Sequence, residues 1–202
     1  MTSAFQKPIR RLKGETAWLQ NEFLMAVAAG NQRQSQLSCE MAIVRLHDAW
    51  ARFCRELIIL SAFGRTITLS GTPLPPCHHS IKRCHLVIPR LRTIMGSGYR
   101  FEPRWADAAK CIAAAQRLAI TNFPTVSAAL GATNSPSEDI RRVRNFYVHR
   151  KNGTAQESRD TNLFVNRTRL EVSDLAAYTT GNVRVIESWV ANLNAVAMAA
   201  AQ

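Results

Sequence analysis

The sequence predicts an all-α bundle of four or five main helices, and three observations carry that expectation. Leu46, Trp50, Phe53, Leu57 and Leu60 step by four, three, four and three, the spacing of one continuous helical stripe. Similar stripes recur before and after it. Alternating apolar and polar residues, the mark of half-buried strands, are few.

Taken in order, a first helix is expected over about Thr16 to Ala29, ending near Gly30, with Trp18, Phe23 and Leu24 among polar residues. The long second helix should run from about Ser35 to Ala62, with Gly64 as its stop. Residues 64–103 read differently. Pro73, Pro75 and Pro76 break any helix, Gly96 and Gly98 loosen the far side, and Ile81 to Met95 reads as a short helix interrupted at Pro89. This stretch is expected to be an irregular insertion, basic through Lys82, Arg83, Arg90, Arg92 and Arg100, within a single domain spanning 1–202. Helix should return near Arg104, with Trp105, Ala108, Ile112, Ala115 and Ala119 on one face. A short helix from Pro124 to Leu130 has Asn122 as its cap and Gly131 as its stop. Ser135, Pro136 and Glu138 then form a capping-box signature opening a helix over Pro136 to His149 or Arg150, buried through Ile140, Val143 and Tyr147 and stopped by Asn152-Gly153. Residues 154–172 are polar apart from Leu163 to Val165. A last helix over about Asp174 to Ala199 should face inward through Val183, Ile186, Val190, Leu193 and Ala197. Trp50, Trp105 and Trp189 each sit in an apolar stripe and read as core rather than as platforms for bases.

Composition narrows the function. A net charge of +12 on 202 residues points to a polyanionic partner, nucleic acid ahead of a membrane surface, although a basic, soluble surface would look the same. No apolar run in the sequence, Leu57 to Leu60 included, is long enough to span a bilayer. Five cysteines, an odd number set mostly in helical patterns, suit a reducing cytoplasm.

The chemistry concentrates in Arg144-Asn145-Phe146-Tyr147-Val148-His149. A guanidinium holds and neutralises phosphate, and an imidazole moves protons near neutral pH. That pair can cut RNA with neither metal nor cofactor. Residues five apart on a helix differ by about 140° around its axis. Arg144 and His149 can therefore meet at a helix end, or across a two-fold axis where two copies of this end form a joint cleft. Arg144 binds the scissile phosphate, and His149 takes the 2′-hydroxyl proton or protonates the departing 5′-oxygen. Asn145 is placed to orient the histidine or a phosphate oxygen. Arg141, Arg142, Arg150 and Lys151 surround the pair and would hold the flanking RNA backbone. Cys77-His78-His79 with Cys84-His85 offers zinc-ligand types at a spacing that matches no common finger, and a polar loop is the plainer reading.

Arg144-Asn145-x-x-x-His149 resembles the Arg-x(4–6)-His motif of the HEPN superfamily, including its frequent Asn after the Arg. Residues 46–55, Leu-His-Asp-Ala-Trp-Ala-Arg-Phe-Cys-Arg, resemble the long second helix of stand-alone members. The resemblance implies a HEPN-like helical bundle, metal-independent endoribonuclease activity and a homodimer. It also implies a role as a toxin with an antitoxin partner, or as an effector in anti-phage defence. Asp48 is a further candidate by that resemblance, since a polar residue on the second helix can approach the motif; a surface ion pair with Arg52 is the plainer reading. One departure is Lys151, which stands where family toxins paired with a nucleotidyltransferase often carry a modifiable tyrosine. The other reading of the chain is a non-catalytic helical subunit that binds RNA or a protein partner, and a zinc-stabilised adaptor built on the 77–85 loop is a third.

Overall fold

The computed structural model describes residues 2–28, 32–96, 102–133, 135–159, 179–180 and 183–202. Gly30, Gly98, Arg100, the apolar piece at 163–165 and the expected helix start at Asp174 lie outside the described residues. Within them, eight α-helices and two two-residue hairpins surround one apolar cluster that extends from Phe5 to Ala201. No described helix is long and apolar enough to cross a membrane.

α1 (Gln6–Ala28) begins ten residues earlier than the periodicity predicts, and buries Ile9, Leu12, Leu19 and Phe23. Pro8 is tolerated because it sits in the first turn, where its missing N–H has no helical acceptor. Gly14 lies inside the helix with nothing within 4 Å of an added Cβ. Gly14→Ala is therefore expected to stabilise the fold by about 0.5–1 kcal/mol, by reducing the freedom of the unfolded chain. A thermal melt would read this as a rise of roughly 1–4 °C.

α2 (Gln32–Phe63) is the central helix. It is buried on a broad arc rather than a narrow stripe: Ile43, Leu46, Trp50, Phe53, Cys54, Leu57 and Ile58 are each 2% exposed or less, whereas Leu60 is only partly buried. The reason is that α1, α4 (Ala108–Leu118) and α6 (Ser137–His149) all pack against it. Gly64, at φ +61°, ends α2 and starts a tight hairpin of β1 (Thr66–Ile67) and β2 (Pro73–Leu74), with Thr66 opposite Leu74. A 3-10 turn over Cys84–Leu86 leads into α3 (Val87–Met95). Pro89 does not interrupt α3, because it occupies the first turn. Residues 64–96 are thus less irregular than expected, and Leu74, Ile81, Val87, Ile88 and Leu91 belong to the common core.

α4 starts at Ala108, not Arg104. Asp107 caps it by accepting the Lys110 N–H at 3.1 Å. Trp105 is buried in the preceding loop and donates its indole N–H to Glu102 at 2.8 Å, while Arg55 holds the same carboxylate at 2.6 and 2.9 Å. The buried face of α4 is Cys111, Ala114, Ala115 and Leu118, and Ala119 adopts the left-handed conformation that closes the helix. α5 (Phe123–Leu130) stops at Gly131 and has Asn122 at its N-cap position as expected, but the Asn122 side chain makes no capping bond; its amide donates to Ser61 Oγ at 3.2 Å.

The capping box at Ser135 does not form. Glu138 turns instead to Arg141 and Arg142, a charge-assisted contact stronger than a bond to a neutral N–H. Asn152-Gly153 does not stop α6 but opens α7 (Asn152–Arg159). The stop falls on Arg150, at φ +46°. β3 (Thr179–Thr180) pairs with β4 (Val183–Arg184) ahead of α8 (Val185–Ala200). Val183 is 51% exposed, against expectation, because it lies in that hairpin; Ile186, Val190, Leu193 and Ala197 point inward. Trp50, Trp105 and Trp189 are all buried.

Candidate active site

The apolar residues of α6 fix where its polar ones go. Ile140, Val143 and Tyr147 press into the core, with α2 the neighbour of this helix. Around the helix, Arg144 follows at the edge of that contact, then Arg141 and Asn145, then His149 on the outer side. These four residues form one wall of a cleft of about 390 Å³. His47 and Ala51, one turn apart on α2, form the second wall. The loop from Arg104 to Asp107 forms the third. Arg144 and His149 therefore both line one cleft within a single chain, about 140° apart around α6 with Arg141 and Asn145 between them.

Each cation in the cleft has a distinct environment. Arg144 is half-buried; its Nη1 donates to Asn145 Oδ1 at 3.3 Å, and its Nε is buried with no hydrogen-bond partner among the described residues. Asn145 thus contacts the arginine rather than the histidine. Arg141 reaches the cleft while bonded twice to Glu138, at 2.8 and 2.5 Å. The Arg141 guanidinium holds the Glu138 carboxyl below its usual range. Arg104, which sequence reasoning did not single out, is exposed at the rim. Among the described residues that line the cleft, three arginines stand against one carboxylate, Asp107.

The other basic residues expected to hold RNA are placed differently. Arg142 binds Glu138 at 3.0 Å and does not line the cleft. Arg150 reaches back to Glu40 on α2 at 2.6 Å. Lys151 is exposed in the turn, where its N–H donates to Thr154 Oγ1 at 3.2 Å. These three stand beyond the cleft, and two of them already carry a carboxylate partner.

Asp48 is not in the cleft. It points toward α1 and shares a pocket with Glu15, Trp18, Arg45 and Arg52. Nor does it pair with Arg52, whose guanidinium binds Glu15 at 2.9 Å. Its one link to the cleft is through its neighbour, since Asp48 Oδ1 lies 3.3 Å from His47 Nδ1. His47 is the residue that sequence reasoning passed over. Its side chain is 18% exposed. Burial lowers its pKa below the ordinary 6.5, and Arg144 and Arg141 push the same way against the Asp48 contact. Helical phase held a signal: residues 47 and 51 fall on one side of α2, and 45, 48 and 52 on another.

The cysteine–histidine loop does not assemble. His78 Nδ1 bonds Ser80 Oγ at 2.7 Å, its ring lies 4.2 Å from that of His79, and among the described residues no three His, Cys, Asp or Glu side chains stand close enough to share a metal. A larger cleft of about 990 Å³ lies between the start of α1, α2 and α3. Its carboxylates are already paired, Glu56 with Arg11 and Glu102 with Arg55, and no described α6 residue lines it. The smaller cleft is the stronger candidate because it brings Arg144 and His149 together. Compared with known proteins, the chain matches no family profile, no curated sequence and no solved structure.

Proposed function

We propose that the chain is a metal-independent endoribonuclease of HEPN type that works in the α6 cleft. The observation that carries the reading is that Arg144, His149, Arg104 and Arg141 line one cleft. Arg144 is half-buried where it lines the cleft, and a guanidinium there can hold a phosphate oxygen by charge-assisted hydrogen bonds. The 2′-oxygen of a ribose attacks the adjacent phosphorus, the bond from phosphorus to the 5′-oxygen breaks, and Arg144 offsets the charge building on the phosphoryl oxygens. His149 moves a proton in this exchange. The products are a 2′,3′-cyclic phosphate, or its hydrolysed form, and a 5′-hydroxyl. DNA lacks the attacking group, so it binds and stays intact. The biological setting follows the family resemblance: a cytoplasmic toxin or anti-phage effector, homodimeric, restrained by an antitoxin or another defence protein.

The test uses purified protein and end-labelled RNA in EDTA. The expected result is cutting with cyclic-phosphate ends, and none at a linkage whose 5′-side sugar is 2′-deoxy. RNA that is held in a salt-dependent way but remains whole would overturn the nuclease reading, in favour of a non-catalytic binding subunit.

A further inference from the structure

We propose that His47 is the second proton-transfer residue of this site, so that one chain supplies both the base and the acid. The inference rests on the nuclease reading, and names a residue to which neither the motif nor the resemblance assigns a role.

Cleavage through the 2′-oxygen needs two proton transfers on opposite sides of phosphorus: one from the 2′-hydroxyl, one to the leaving 5′-oxygen. With His149 alone, one chain would offer one imidazole for the two transfers, and a second copy of the chain is one way to supply another. This cleft has two imidazoles, one on α2 and one on α6. His149 stands exposed at the tip of α6, and His47 is half-buried on α2. The charged groups facing His47 are Arg141 and Arg144 from α6, Arg104 and Asp107 from the loop before α4, and Asp48 from its own helix.

Those neighbours divide the roles. Nδ1 of His47 is engaged by Asp48 Oδ1, which as a carboxylate can only accept. The proton of the neutral ring therefore sits on Nδ1, and Nε2 keeps a free lone pair. Burial first, and the two arginines after it, lower the pKa of the ring against the Asp48 contact, which favours the neutral form. A neutral imidazole with its lone pair on Nε2 is a base. His47 accordingly takes the 2′-hydroxyl proton on Nε2 as the 2′-oxygen bonds to phosphorus. The bond to the 5′-oxygen breaks, and that oxygen receives a proton from the His149 imidazolium. One proton has then passed to His47 and one has left His149. Exchange with water restores both, and no oxidant, metal or co-reactant enters. Asp48 is a positioning residue that acts through His47.

The experiment measures single-turnover cleavage of a chimeric oligonucleotide with one ribose, in EDTA, between pH 5 and 9. A second substrate carries sulfur in place of the 5′-oxygen, a leaving group that needs no proton. His47→Gln is expected to lose about 10²–10⁴-fold on both substrates, together with the acid limb of the rate profile, which lies below pH 6.5 in the wild type. His149→Ala should lose as much on the oxygen substrate and recover on the sulfur one. Added imidazole should restore part of the His47→Ala rate, which an unfolded variant could not show. His47→Gln within threefold of wild type, or rescued by sulfur as His149→Ala is, overturns the assignment while leaving the nuclease reading intact. A wild type that cuts neither substrate overturns the nuclease reading itself, and this role with it.

Discussion

Replacing Gly64 by alanine is expected to lower the unfolding free energy by roughly 3 kcal/mol or more, a fall of about 6–12 °C in Tm. Two independent effects add. At φ +61° a Cβ is disfavoured by about 1–2 kcal/mol on backbone sterics alone. That Cβ would also stand 2.3 Å from the Pro75 carbonyl carbon and 2.4 Å from both Pro75 O and Pro76 N. These are backbone atoms and cannot turn aside. The hairpin is fastened on either side of the clash, Arg65 N–H to Leu74 O at 2.7 Å and Cys77 N–H to Ala62 O at 3.0 Å, so making room means breaking one of them. Gly71 is the natural comparison, because its φ is +89° but nothing lies within 4 Å of an added Cβ. Gly71→Ala should cost only the backbone term. Urea or thermal melts of the two variants that agree to within about 2 °C would contradict this account.

Arg144→Ala is expected to lower the single-turnover rate of RNA cleavage about 10³-fold, equivalent to about 4 kcal/mol of transition-state stabilisation. The guanidinium is half-buried at the edge of the α2 contact, where a charge acts on phosphate with less screening than at the open surface. Arg144→Lys should recover little, since a single ammonium cannot reproduce the planar fork. Arg142→Ala, which removes a cation outside the cleft, should change the rate less than fivefold and weaken binding only modestly. Equal losses in Arg144→Ala and Arg142→Ala would show that general basicity, not the cleft, governs the activity. Circular dichroism of each variant separates lost folding from lost chemistry.

How much of this was legible before the fold was known depends on what each feature rests on. The long helices could be read because a stripe such as Leu46, Trp50, Phe53 and Leu57 repeats many times within one element. Their ends were harder, because ends turn on single contacts. Pro8 and Gly14 look like breakers, yet one sits in a first turn and the other faces open space, so α1 runs through both. Ser135 and Glu138 have the capping-box spacing, but two arginines compete for the glutamate. Asn152-Gly153 looks like a stop, and the chain reverses earlier, at an arginine in the left-handed region that no local rule announces. The same distinction governs the site. Arg144 and His149 could be found because they lie on one segment. His47 belongs to the cleft only because α2 packs against α6, a relation between residues about a hundred positions apart. Asp48, adjacent in sequence, faces α1 by the same helical geometry.

The reversal after α6 also has a thermodynamic meaning. The backbone that carries His149 is fixed by the left-handed Arg150, by the Arg150–Glu40 ion pair at 2.6 Å, and by Ser158 Oγ donating to Arg142 O at 3.0 Å. The imidazole is open to solvent, yet the main chain beneath it is anchored to α2 on one side and to α7 on the other. The entropy lost in placing that backbone is lost when the protein folds, not when a ligand arrives. The side-chain rotation of His149 remains to be ordered on binding, and whatever order the backbone already has leaves more of the contact energy for chemistry.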